Sequence, residues 1–118
     1  MKGDVLAKCS KKMQISFPPG TRVLCDQDEA GMDSALSLKV EIPGDRWEAF
    51  LAGSPFRGKD FRSEARYLLG PDDGSWDPSR PSDLPTAQVR LMSGAYLNMG
   101  VDRTDPVKAV LYLFWHET

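Results

Sequence analysis

Residues 34–42 read Ser34-Ala35-Leu36-Ser37-Leu38-Lys39-Val40-Glu41-Ile42. Leu36, Leu38, Val40 and Ile42 alternate with Ser37, Lys39 and Glu41. A period of two places the apolar set on one face of a strand and the polar set on the other. Such a strand predicts an antiparallel sheet that is packed on one face and wet on the other. Pro43 and Gly44 end it, because proline brings no N–H to a ladder.

Downstream the period changes. Trp47, Phe50 and Leu51 fall at i, i+3 and i+4, one stripe of a helix. Asp45 with Glu48 three residues on reads as an acid-led capping box. Gly53 and the Ser54-Pro55 step stop the helix. The helix is expected to lay Trp47 and Phe50 on the apolar face of the sheet. Upstream, Phe17-Pro18-Pro19-Gly20 is a stiff turn into a strand over 21–25. Residues 26–33 read as an acidic hairpin loop. Residues 1–15, polar and lysine-rich, read as a flexible tail or weak edge strand.

The second half supplies three further strands. Residues 87–92 and 95–101 form a hairpin about Ser93-Gly94, read as a two-residue turn. Residues 107–115 are apolar on both faces, with Leu111, Leu113 and Trp115 on one and Val110, Tyr112 and Phe114 on the other. That strand is central, or is covered on its second side. Between the halves, mixed charge over 57–69 predicts a short helix from about Asp60 to Gly70, with a strand over 65–69 as the alternative. Residues 71–85 read PDDGSWDPSRPSDLP. Its prolines and aspartates exclude regular structure, leaving a loop of roughly 15 residues, a length at which loops commonly carry function.

The prediction is therefore α+β: about five antiparallel strands in one twisted sheet, with one or two short helices on one face, in the order β-β-α-(α)-β-β-β. A chain of 118 residues fits one domain, here 16–118 with the Pro/Asp loop at 70–86. Lys and Arg number 15 against 17 Asp and Glu, so the net charge is −2, without the basic excess of a nucleic-acid binder. No apolar run approaches the ~18 residues of a membrane span.

Signatures of chemistry are sparse. The two cysteines, Cys9 and Cys25, and the one histidine, His116, are too few for a structural zinc site. Asp26, Asp28 and Gly31 match the first, third and sixth places of a calcium loop, but Ala30 and Ser37 occupy the fifth and twelfth. No cofactor or metal is expected. His116 groups by alternation with Tyr112 and Phe114, without an obvious carboxylate for base catalysis. Asp72 and Asp73 on a Pro/Gly loop are turn formers before they are a catalytic pair. Trp76 has two readings. It anchors the loop on the body, or it is an interface hot spot, with Arg80 beside it and Asp72, Asp73 and Asp77 attracting a basic partner.

The segments FPPGTRV (17–23), SALSLKVEIP (34–43), FLAGSPF (50–56), LGPDDGSWDP (69–78), LNMGVD (97–102) and VLYLFWHET (110–118) resemble a group of uncharacterised small bacterial proteins. These are chiefly actinobacterial and often follow an export signal or membrane anchor. The resemblance covers most of the chain from residue 16 onward. It implies a cell-envelope setting and brings no activity, cofactor or catalytic residue. Residues 1–15 depart from the group, because Lys8 precedes Cys9 and no apolar segment leads to it. Read as it stands, that start points to the cytoplasm; a trimmed start points to the envelope.

The expected function is a non-enzymatic bacterial protein-binding module, of the kind that immunity and inhibitor proteins represent. Its partner is a protein, with Trp76, Asp72, Asp73, Asp77 and Arg80 as the contact residues. The alternatives are an extracytoplasmic ligand-binding or sensor domain of a membrane-anchored protein, and a small hydrolase using His116 with a carboxylate.

Overall fold

The computed structural model describes residues 2–29, 35–57, 61, 76 and 84–117, with side chains described from residue 6 onward except at 27–29. Its elements are helix α1 (Lys2–Met13), strands β1 (Arg22–Glu29) and β2 (Ala35–Pro43), helix α2 (Trp47–Ala52), and strands β3 (Thr86–Arg90), β4 (Tyr96–Asp102) and β5 (Lys108–His116). The strands form one antiparallel sheet in the order β1-β2-β5-β4-β3. The fold is α+β, as its alternation predicts. The predicted helix or strand within 57–70 lies outside the described residues, as does the body of the 70–86 loop.

β2 behaves as its pattern requires. Leu36, Leu38, Val40 and Ile42 are all buried. They share a core with Leu97, Met99, Leu111, Leu113 and Trp115. Burying each such side chain stabilises the fold by about 1.5–3 kcal/mol. α2 and its flank lie on this face. Trp47 stacks on Phe50 at 6.0 Å, Phe50 meets Phe17 at 6.1 Å, and Phe61 meets both Trp47 (6.1 Å) and Phe56 (5.8 Å).

The second face differs from the wet face expected for it. Ser37 is buried, and Leu84, Tyr112 and Phe114 form a second apolar cluster joined by Ala35, Trp76 and Val110. The connection from β2 to β3 therefore serves both faces. Trp47, Phe50, Phe56 and Phe61 pack on the first, and Trp76 and Leu84 pack on the second. This covering accounts for the apolar residues on both sides of β5, which is the middle strand of five.

Three local readings are corrected. Residues 1–15 are not a tail or edge strand, because Lys2–Met13 is helical. Cys9 and Met13 are buried, Leu6 is half-buried, and Lys8, Lys11 and Lys12 point out. The helix ends in a Schellman turn, with Gln14 at φ 59 and the Ile15 N–H donating to the Ser10 carbonyl at 3.1 Å. Asp45 is not a capping side chain. It lies in a 3-10 turn, Gly44–Arg46, and neither that turn nor α2 has a side-chain cap. The β3–β4 loop has three residues rather than two. Leu91 N–H donates to Ala95 and Gly94 N–H to Leu91, with Gly94 at φ +95, a type I turn closed by a glycine bulge.

Candidate functional site: a cleft at the end of the sheet

Of the contact residues read from the sequence, the structure describes Trp76 alone. It is half-buried and meets Tyr112 edge to face at 5.3 Å. Asp72, Asp73, Asp77 and Arg80 lie outside the described residues. The geometry at Trp76 is that of a loop anchor, since a large ring gains most by burial against another ring.

His116 is held by rings. It stacks on Tyr96 at 5.5 Å and on Phe114 at 5.1 Å. It lines neither the cleft described below nor the depression beside it. Asn98, buried beside this row, accepts from Gln88 Nε2 at 3.0 Å and donates to the Phe114 carbonyl at 3.4 Å. Its amide is thus committed to holding the sheet.

Both cysteines are buried free thiols. Cys9 lies on the buried face of α1, where burial pushes its pKa up to about 11; Asp26 adds to the rise, and Lys8 and Lys12 oppose it. A thiol held protonated at neutral pH is a poor nucleophile. Among the described residues no three His, Cys, Asp or Glu side chains gather as a metal site, and no helix is long and apolar enough to cross a membrane.

The described residues form a cleft elsewhere, where β2 leaves the sheet, β3 enters it and β4 turns into β5. Its volume is about 480 Å³, and its lining is Trp47, Glu48, Leu51, Phe61, Pro85, Val101, Arg103 and Thr104. That size falls in the ordinary range of ligand pockets. The walls are aromatic and aliphatic, and the charged groups sit at the rim.

The turn after β4 places the rim. Asp102 Oδ1 accepts from the Thr104 backbone N–H (3.0 Å) and hydroxyl (2.7 Å), and Asp105 Oδ1 accepts from the Val107 N–H (2.8 Å). These aspartate turns fix the backbone from which Arg103 projects. Its guanidinium lies over the Trp47 ring, 5.8 Å from the centroid. The other wall starts at Gly44, whose N–H donates to Val107 O at 2.8 Å. A Cβ at Gly44 would lie 3.0 Å from the Pro106 and Val107 backbone, so a larger residue requires the two segments to give way.

A second depression of about 550 Å³ adjoins the first. It is lined by Glu48, Leu51, Ala52, Ser54, Pro55, Phe56 and Arg57, and so shares Glu48 and Leu51 with the cleft. Ser54 shapes its floor. Its hydroxyl donates to Leu51 O at 2.8 Å and accepts from the Phe56 N–H at 3.1 Å. Together the two make one groove across the outer side of α2.

Sequence reasoning placed Trp47 and Phe50 in the core but did not assemble this groove. Its walls come from residues 47–57, Phe61, Pro85 and residues 101–104, which meet only through the strand order. The Asp102–Asp105 turn between two strong strands was its one local signal. No family model, curated protein or solved structure matches the chain.

Proposed function

We propose that the protein is a non-enzymatic protein-binding module that holds its partner in the groove across α2. The observation that carries this reading is Arg103 poised over Trp47 at the rim of a largely apolar cleft. Arginine and tryptophan over a water-excluding pocket are the residue types that dominate binding energy at protein interfaces. The packing of Trp76 against Tyr112 supports moving the contact surface from the 70–86 loop to this cleft. The groove is also longer than one side chain requires, which favours a segment of protein over a small molecule.

The test is affinity isolation from native extract with the full chain, its Arg103→Glu variant and an Arg90→Glu control on β3. A protein retained by the wild type and the control but lost with Arg103→Glu supports the reading. Retention of that protein by the wild type and both variants, or of none by the wild type, overturns it.

A further inference from the structure

The sheet is open, with β1 at one edge and β3 at the other. The two edges are built differently. β1 carries a bulge between Val23 and Cys25, and its last four residues include the acids Asp26, Asp28 and Glu29. A bulge and a row of charge are ordinary protections of an exposed edge. β3 pairs with β4 in an unbroken register, from Thr86↔Gly100 to Arg90↔Tyr96, and contains no acid and no proline.

The register shows which backbone groups of β3 are spent. The Leu91 N–H donates to Ala95 O, and the Val101 N–H donates to Pro85 O. Bonded and unbonded positions alternate along an antiparallel pair. Ala87 and Val89 therefore bond β4, whereas Gln88 and Arg90 turn their N–H and C=O groups outward. Among the described residues no strand or backbone group meets them there.

The side chains match this edge to itself. With a two-fold axis at Val89, Gln88 faces Arg90 of a second copy, twice, and Val89 faces its own equivalent. The outward N–H and C=O groups of Gln88 and Arg90 then bond each other across the axis. Val89 is half-buried, and its pair is the unbonded one, where side chains lie closest and β-branched residues pack well. Gln88 Nε2 donates to Asn98 Oδ1 at 3.0 Å, and its Oε1 remains to accept from a guanidinium. Arg90 is exposed, with its guanidinium 5.9 Å from the centroid of its own Tyr96 ring. The two Arg90 side chains lie diagonally across the axis, so no like charges stand directly opposite.

We infer that β3 pairs antiparallel with β3 of a second copy of this chain, about a two-fold axis at Val89, joining the two sheets into one. The contact is short, so the dimer is weak, below the size of a permanent interface. It lies apart from the groove, which none of Gln88, Val89 and Arg90 lines, and it does not depend on the protein-binding reading.

Sedimentation equilibrium of the full chain from micromolar to millimolar concentration tests this, with circular dichroism showing each variant folded. The wild type should associate to a dimer. Gln88→Glu sets an acid against Arg90 at two equivalent places and should lower the dissociation constant about threefold or more, and Gln88→Arg should raise it by as much. Adding Arg90→Glu to Gln88→Arg restores opposite charges and should recover the wild-type dimer. A wild type still monomeric at millimolar concentration, a dimer indifferent to these changes, or a dimer weakened by Gln88→Glu overturns the inference. So does a double variant no tighter than Gln88→Arg alone.

Discussion

The Arg103 guanidinium lies 5.8 Å from the centroid of the Trp47 ring, joining the turn after β4 to the first residue of α2. Arg103 is exposed and Trp47 is buried. The contact is therefore a surface lid on a core ring. With the guanidinium itself in water, such a contact contributes about 0.5–1 kcal/mol. Arg103→Ala should lower unfolding stability by no more than about 1 kcal/mol in urea titration, while removing partner binding. A loss several times larger would show that Arg103 is structural and not a contact group.

Trp76 gives the opposite expectation. It is half-buried on Tyr112, so Trp76→Ala should cost roughly 2 kcal/mol, below the ~3–5 kcal/mol of a fully buried aromatic. Partner binding should stay within twofold of wild type. Unchanged stability with lost binding would return the contact surface to the 70–86 loop.

Gly44→Ala tests how the cleft is built. The added methyl meets the Pro106 and Val107 backbone at 3.0 Å. Forcing the two segments apart should cost about 1–3 kcal/mol and weaken binding together with stability. Thermal melts and binding measured on the same variant check this. A melt equal to wild type would mean the approach is looser than described.

Cys9 predicts an alkaline limit. Its folded pKa, about 11, lies above the ordinary 9.0. Between those values the unfolded chain releases the thiol proton and the folded chain keeps it, so stability falls as pH rises. Below pH 9 both states are protonated and Cys9 adds no pH dependence. Urea midpoints of the wild type should therefore drop more between pH 9 and pH 11 than those of Cys9→Ala. Parallel curves would contradict the assignment.

Much of this architecture is readable from alternation. β2 shows one buried face at every second residue, and β5 shows two apolar faces because Trp76 and Leu84 cover its second side. The Trp47–Phe50 stripe lands on the core as its spacing requires. α1 was hidden because its stripe is short, one of its buried residues is a cysteine, and its left-handed end is a glutamine where glycine is usual. The strand order was hidden because β5 enters between β2 and β4, a choice made by packing across the whole sheet. The groove inherits that difficulty. Trp47, Leu51 and Phe61 become neighbours of Val101, Arg103 and Thr104 only once the sheet is assembled, and no spacing within either segment announces it.

The central claim is that the partner lies across α2, and a photoreactive side chain at Leu51 tests it most directly. Leu51 is half-buried and lines both halves of the groove, whereas Met92 is 97% exposed at the β3–β4 loop. With circular dichroism showing both labelled proteins folded, irradiation should join the partner to the protein labelled at 51 and not to the one labelled at 92. Cross-linking from position 92 with none from position 51 would contradict the account.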